Sequence, residues 1–326
     1  MPKPKLTILT DPVPFGFYLP IEFLKKILRK LKRLIISPPQ YTISRYRGHP
    51  AVTRSLVEGL IQNNISANYN PEFFKDISDT VVVLSGVSAL KQAIKLKQKG
   101  HITKLLAGPN LVELPSDFKG IIHSKEIDFC LTPSEWITTL YKKVSPQLEG
   151  RCLSWPAGVN TYYWKPNPKI PRKTILIYEK QRKGPVGPID PYVNWLIKRG
   201  YKTEVIICGE YYPQQFLKLL QRSAMMIGFV KDETQGLAWA EAWSADVPTF
   251  IWKNTNNSMR GFSYKCSTAP YLNNKNGIFF NNFQDFKKHF IKWESGKFDF
   301  RPRNWVETNM SDKVCAAMLC KLASVS

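Results

Sequence analysis

The sequence is poor in the residues that most often hold metals. Only four of its 326 residues are histidines, and none of its six cysteines forms a C-x-x-C pair. Structural zinc and iron–sulfur sites need several such ligands at short, regular spacing. The composition therefore argues against a zinc or iron–sulfur protein.

Long hydrophobic runs are missing as well. No apolar run reaches the roughly 18 to 20 residues that a membrane-spanning helix needs. The first residues, "MPKPKLTILTDPVPFGF", are charged and contain only a short apolar patch, which is not typical of a secretory signal. We therefore expect a cytoplasmic protein whose cysteines stay reduced.

Acidic residues are scarce relative to basic ones. The chain has 25 Asp and Glu against 47 Lys and Arg, and both halves share the formal net charge of +22. This balance favours anionic partners such as nucleotide phosphates, anionic lipids or nucleic acid. A surface of solvated lysines is an equally good explanation. With 43% hydrophobic residues, the chain has the composition of a globular protein and the length for two domains.

Short β-rich runs alternate with helical patterns in the first half of the chain. Runs such as "TVVVLSG" are apolar and β-branched and end in turn residues, which is typical of buried parallel strands. The predicted strands are 5–9, 80–86, 103–109 and 128–134, and the predicted helices are 51–63, 87–99 and 135–143. This alternation predicts a parallel sheet covered by helices.

A proline-rich stretch at 160–173, "NTYYWKPNPKIPRK", has the composition of a linker. The alternation then resumes, with predicted strands at 174–179, 202–209, 224–230 and 247–252 and helices at 190–200, 213–222 and about 311–323. We therefore predict an α/β protein with two domains of similar kind and a cleft between them. The predicted domains are 1–160 and 161–310, followed by a C-terminal segment, 311–326.

The stretch "ETQGLAWAEAW" at 233–243 follows a predicted strand and opens a helix. Ligands of such sheets bind where strands pass into helices, and a glycine beside free helix amides admits a phosphate. Glu233 and Glu241 flank Gly236, where carboxylates suit sugar hydroxyls on either side of a diphosphate. The alternative is a helix N-terminus whose acids complement the helix dipole, but this does not explain Glu241 or the glycine.

This stretch resembles the E-x7-E motif of retaining glycosyltransferases with the GT-B fold, close to family 4 (group 1). The match runs from 233 to 242 and continues into "WSADVPTFIW". "PAGVNTYYWKP" at 156–166 is similar to the segment that ends the family's N-terminal domain, and "LTPSEW" at 131–136 is similar to the strand and helix before it. The resemblance covers about a third of the chain and implies two Rossmann-like domains with a deep cleft between them. It also implies that the C-terminal helix in 311–326 packs back on the first domain.

The resemblance also implies roles for the motif residues. Glu233 would hydrogen-bond hydroxyls of the donor sugar, Gly236 and Leu237 would offer backbone amides to the diphosphate, and Glu241 would accept from the ribose. The predicted donor-binding residues are Glu233, Thr234, Gln235, Gly236, Leu237, Glu241, Arg182 and Gly209.

The family places basic residues after the first strand of the second domain, where they face the phosphates. Here that stretch is "YEKQRKG", with Lys180, Arg182 and Lys183. The family's spacing is not reproduced, so which of the three serve stays open. The predicted catalytic residues are Glu233, Lys183 and Lys180.

On the acceptor side the chain departs from the family. The best candidate for the family's glycine loop is "RYRGHP", with Gly48 and His49, and the place of its usual histidine is taken by "LLAGPNLV", with Gly108 and Asn110. No general base is named, because in a retaining enzyme the leaving diphosphate itself can accept the proton. The resemblance implies no cofactor and no metal, and the lack of a D-x-D motif agrees.

The stretch "PIEFLKKILRKLKRLIIS" at 20–37 is a basic amphipathic helix pattern. It is typical of a helix on an anionic membrane surface, and an ordinary helix packing its apolar face on the domain explains it as well. Nucleic acid is the least favoured partner. A membrane-bound helix would make the cytoplasmic protein peripheral on the membrane.

The leading function is transfer of a hexose from a UDP- or GDP-sugar to a saccharide or lipid-linked acceptor, with retention of configuration. One alternative is a glycosyltransferase that modifies DNA. The other is a non-catalytic module of the same fold that binds nucleotide sugars or membranes.

Overall fold

The computed structural model describes residues 5–13, 48–180 and 187–324. The chain divides into two compact units, Met1–Pro156 with Cys315–Ser326, and Ala157–Val314. The predicted basic helix at 20–37 lies outside the described residues. Each unit has a parallel sheet of its own, which confirms the predicted α/β class.

The first unit is built on a six-stranded parallel sheet in the order β2-β1-β3-β4-β5-β6. Its strands are β1 Leu6–Thr10, β2 Ala67–Tyr69, β3 Thr80–Ser85, β4 Lys104–Asn110, β5 Phe129–Thr132 and β6 Cys152–Ser154. The four residues from Val81 to Leu84 are fully buried. Strands of such a sheet are covered on both faces, which is why they are recognisable as continuous apolar runs.

Helices connect these strands. They are His49–Gln62, Val87–Gln98, the short Asp117–Gly120 and Glu135–Val144, with 3-10 turns at Phe74–Asp76, Ile121–His123 and Pro146–Leu148. The helix Asp312–Ala323 enters this unit from Cys315 onward, where the Trp155 Nε1 donates to the Cys315 carbonyl at 2.8 Å. The predicted strands and helices of this half are confirmed to within about two residues, whereas β2 and β6 are additional.

The second unit has a five-stranded parallel sheet in the order β13-β10-β9-β7-β8. Its strands are β7 Thr174–Glu179, β8 Lys202–Ile207, β9 Ser223–Phe229, β10 Thr249–Trp252 and β13 Gly277–Phe280. An antiparallel hairpin, β11 Asn256–Met259 and β12 Phe262–Lys265, is inserted after β10. The chain passes from β7 to β8 on one side and returns to β9 on the other, so the order of strands reverses between β7 and β9.

The helices of the second unit are Asp190–Lys198, Pro213–Arg222, Leu237–Ser244, Phe283–Glu294 and Pro302–Asn309. One side of the sheet packs on a largely aromatic core that includes Phe250, Phe280, Phe286 and Phe290, all fully buried. The predicted elements from 174 to 252 and the predicted helix at about 311–323 are confirmed, while the hairpin, β13 and the helices Phe283–Glu294 and Pro302–Asn309 are additional. No helix in the three described ranges is long and apolar enough to cross a bilayer.

Candidate functional site

Two charged residues of the predicted donor site contact each other at the carboxyl end of the second sheet. Lys180 follows β7 and Glu233 lies in the loop after β9, on either side of the point where the strand order reverses. The Lys180 Nζ donates to the Glu233 Oε2 at 2.8 Å, and the two side chains are 22% and 15% exposed. Ligands of open parallel sheets bind at this kind of crevice.

The environment of Lys180 keeps its ammonium charged. Burial alone would lower its pKa, but the carboxylate of Glu233, with smaller contributions from Cys208 and Asp232, outweighs burial. The net effect raises the pKa of Lys180 above its ordinary 10.5. A half-buried cation therefore lies at the edge of the sheet, paired with a carboxylate with which an anionic ligand must compete.

The helix of the motif begins at Leu237, as its sequence predicts. Gly236 precedes it with φ +83° and ψ 49°, and the first helical hydrogen bonds run from the Trp239 and Ala240 amides to the Gly236 carbonyl. The amides of Leu237 and Ala238 come before these bonds and point out of the helix start, as in every α-helix. Such a helix start favours an anion.

Gly236 also has a purely structural reason to be glycine. A Cβ at this position would lie 2.4 Å from the Cδ1 of Trp239. Trp239 is 1% exposed and its Nε1 donates to the Thr268 carbonyl at 3.0 Å, so its ring is held in place. Trp243 on the same helix packs in the core as well, because it is 1% exposed and its Nε1 donates to the Thr249 Oγ1 at 2.9 Å.

Two of the segments with a family resemblance meet within the second unit. The Gln235 Nε2 donates to the Ala157 carbonyl at 2.9 Å, and the Ser244 Oγ donates to the Trp164 carbonyl. Glu241 is half-buried on the same helix, near Tyr163. Burial, and then the charge of Glu241, raise the pKa of the Tyr163 phenol. The "PAGVNTYYW" segment therefore runs along the motif helix.

The loop before the helix is held by a segment that the sequence did not lead us to expect. Lys231, Asp232 and Glu233 each contact the stretch Asn254–Ser267, which contains the hairpin. A signal for it was present, since "MRGFSY" has the arginine–glycine turn of a two-residue hairpin. Arg260 and Gly261 indeed have φ +50° and +77°.

The other predicted donor residues that the structure describes lie on the motif loop and helix and at the end of β8. Thr234 is exposed and Leu237 is half-buried. Gly209 follows β8 with φ +97° and open space around the position of a Cβ, and the Cys208 amide donates to the Glu179 carbonyl at the end of β7. Arg182 and Lys183 lie outside the described residues, so of the predicted cations the structure places only Lys180.

The four predicted acceptor-side residues lie on two elements of the first unit. Gly48 and His49 are exposed at the start of the helix His49–Gln62, where Gly48 has φ +56°. Gly108 and Asn110 end β4, and a Cβ on Gly108 would lie 2.0 Å from the Leu131 carbonyl oxygen. The Asn110 Nδ2 is buried and has no acceptor within the described chain. The expected contact of these four residues with the acceptor stays a prediction.

The described ranges contain no group of three or more His, Cys, Asp or Glu side chains placed to hold a metal ion.

Comparisons with known proteins identify the fold. A glycosyltransferase from Rickettsia africae aligns over 99% of this chain and 98% of its own, with a TM-score of 0.56 and 13% identity. The sucrose-phosphate synthase of Thermosynechococcus elongatus aligns over the same shares, with a TM-score of 0.59 and 10% identity. A lipopolysaccharide outer core galactosyltransferase, WaaB, aligns over 98% and 99%, with a TM-score of 0.50 and 11% identity.

These similarities confirm the predicted GT-B fold with two Rossmann-like units. At identities this low they show the fold alone. No protein-family model matches the sequence, and no curated protein matches it.

Proposed function

We propose that the chain is a glycosyltransferase that moves a hexose from a UDP- or GDP-sugar to a saccharide or lipid-linked acceptor. The observation that carries the proposal is the Lys180–Glu233 ion pair beside the helix start at Leu237. A cation, a carboxylate and a helix N-terminus meet at the point of the sheet where nucleotides bind in this kind of fold. Three solved structures that are similar along nearly the whole chain are named as a glycosyltransferase, a sucrose-phosphate synthase and a galactosyltransferase, which supports the proposal.

The donor's diphosphate would bind Lys180 and the amides of Leu237 and Ala238. In doing so it would compete for the ammonium that Glu233 contacts. Glu233 would then accept hydrogen bonds from hydroxyls of the sugar, and Glu241 would accept from the ribose. Arg182 and Lys183 would add charge to the phosphate side.

Transfer would proceed with retention of configuration and without a metal. The bond from the anomeric carbon to the phosphate oxygen breaks, and a bond to the acceptor oxygen forms on the same face. The acceptor's proton passes to the leaving diphosphate, so no protein base is needed. The protein contributes position and charge stabilisation.

The acceptor side of the proposal rests on the first unit. Gly48, His49, Gly108 and Asn110 are the residues we expect to contact the acceptor, and the segment 20–37 would bring the enzyme to an anionic membrane surface. A lipid-linked acceptor is consistent with that placement and with the name of the lipopolysaccharide galactosyltransferase.

A panel of nucleotide sugars tests the proposal. Bound donor should raise the unfolding temperature by mass action, and one donor should be hydrolysed slowly without acceptor and without metal. Glu233→Ala should abolish transfer and leave the fold intact, while Asp299→Ala, at an exposed pair with Lys275, should not affect the rate.

Three results would point elsewhere. Full transfer by Glu233→Ala would show that the motif is misassigned. Nucleotide binding without turnover of any donor would identify a non-catalytic module. Duplex DNA binding with a steep dependence on salt would favour a DNA-modifying enzyme.

A further inference from the structure

Three consecutive residues of the motif loop are held by one inserted segment. The Asn254 Nδ2 donates to the Lys231 carbonyl at 2.7 Å, and the Glu233 amide donates to the Ser267 carbonyl at 2.8 Å. Between them, Asp232 is bound by side chains of the hairpin. The stretch Asn254–Ser267 thus contacts every residue from 231 to 233.

The contact with Asp232 is the most specific of these. The Asn257 Nδ2 and the Tyr264 OH both donate to its Oδ2, each at 2.7 Å. Asn257 and Tyr264 are direct partners in the antiparallel ladder, so their side chains leave the same face of the hairpin. The hairpin therefore presents two donors to one oxygen.

Asp232 is a buried carboxylate, only 7% exposed. A buried carboxylate needs hydrogen-bond donors, because its lost hydration is otherwise not replaced. Its charge also acts on the site, since Asp232 is one of the groups that raise the pKa of Lys180. Asp232 thus contacts the hairpin through its carboxylate and directly precedes Glu233 in the loop.

We propose that the segment Asn254–Ser267 is a positioning element for the transfer site and that Asp232 is the positioning residue through which it acts on Glu233 and Lys180. Tyr264 and Asn257 hold Asp232, and Asp232 holds the loop in which Glu233 faces the donor. The part that concerns catalysis rests on the proposed function.

Tyr264→Phe is the sharpest test, because it removes one hydroxyl and keeps the ring. Losing a donor to a buried carboxylate should reduce kcat for transfer about tenfold. KM for the donor should stay within about twofold, because the helix start and Glu241 are unchanged. Ser263→Ala, an exposed neighbour on the same strand, is the matched control and should behave as wild type. Asn257→Ala, which leaves the ring in place, serves if Tyr264→Phe does not fold.

Hydrogen exchange gives a readout that does not depend on activity. The Glu233 amide should exchange faster in Tyr264→Phe than in Ser263→Ala, while the Trp239 amide, bonded to Gly236, should not change. A residue that served stability alone would lower the unfolding midpoint and leave kcat of the folded protein unaltered.

The outcomes separate the two proposals. If wild type transfers sugar and Tyr264→Phe has the kcat of Ser263→Ala, the positioning role is overturned, whatever the exchange shows. If wild type turns over no donor, the proposed function fails, and exchange decides alone. Faster exchange of the Glu233 amide then supports the proposal that the hairpin holds the loop in place, and unchanged exchange overturns that proposal.

Discussion

Substituting Gly236 with alanine separates the structural from the functional reason for the glycine. The added methyl group meets two obstacles. The backbone has φ +83°, which L-residues rarely adopt, and the Cβ would lie 2.4 Å from the Trp239 Cδ1. Trp239 cannot move without losing its hydrogen bond to Thr268 and its place in the core.

The two terms can be estimated separately. A left-handed backbone costs an alanine about 1 to 2 kcal/mol relative to glycine. Overpacking a buried position costs about 1 to 3 kcal/mol more. Gly236→Ala should therefore destabilise the second unit by about 2 to 5 kcal/mol, even though no ligand is involved.

Gly200→Ala is the matched control. Gly200 has φ +87°, but a Cβ added there would have no heavy atom within 4 Å, and the residue is exposed after the helix Asp190–Lys198. Gly200→Ala should lower stability only by the cost of a left-handed backbone at an alanine, about 1 to 2 kcal/mol. Both variants lie in the second unit, so the difference between them measures the contact with Trp239.

Urea unfolding followed by tryptophan fluorescence is a suitable assay. Seven of the nine tryptophans lie in the second unit, so the signal reports chiefly on that unit. A change in midpoint at constant slope gives the difference in stability. If Gly236→Ala is no less stable than Gly200→Ala, the contact with Trp239 does not require a glycine at 236. Binding of a phosphate is then the remaining explanation for Gly236.

Three further predictions concern charge. Lys180→Met should lower the free energy of unfolding by about 1.5 to 3 kcal/mol, because it removes the cation that Glu233 contacts. Since the pKa of Lys180 is raised in the folded protein, this difference should persist up to pH 10.5 and disappear as the pH rises beyond the pKa of Lys180 in the folded state. Glu233→Gln should abolish transfer but tighten binding of UDP or GDP, because the diphosphate no longer competes with a carboxylate for Lys180. Calorimetry measures this binding, and weaker nucleotide binding would contradict the prediction. Burial, and then the charge of Arg151, lower the pKa of His123. Stability should therefore fall as the pH drops below 6.5, because the unfolded state then binds a proton more readily than the folded state. His123→Gln should make the urea midpoint less dependent on pH in this range.

The sequence was most informative where a strand is buried on both faces. β3, β7 and β9 are largely apolar runs, and each was predicted within about two residues. β2 was missed because its three residues, Ala67–Tyr69, include no buried side chain. An edge strand of this kind is defined by its pairing with β1, which no local pattern shows.

The candidate site was predictable in part for a similar reason. Glu233, Gly236 and Glu241 follow each other at a spacing set by one strand end and one helix start, which are local features. The partner of Glu233 is Lys180, 53 residues earlier in the chain, and the two meet only because β7 and β9 are neighbours in the sheet. The spacing of the motif alone could not give that pairing.

The contact between the hairpin and Asp232 could not be predicted from the sequence either. Its turn is readable in the sequence, but its purpose is not, because Asp232 looks like an ordinary acid before a helix. Only the pairing of Asn257 with Tyr264 brings two donors to that carboxylate.

The local charge explains why a basic chain concentrates acids here. The described loop carries two carboxylates near Lys180: Glu233 contacts the ammonium directly, and Asp232 adds to the negative charge that raises its pKa. A diphosphate would therefore bind Lys180 only by separating it from Glu233, and a donor that also offers sugar hydroxyls compensates Glu233 for that loss. A free nucleotide offers no such compensation. In the proposed transfer, the ion pair would therefore favour the complete donor over the released nucleotide, which helps the product to leave the site.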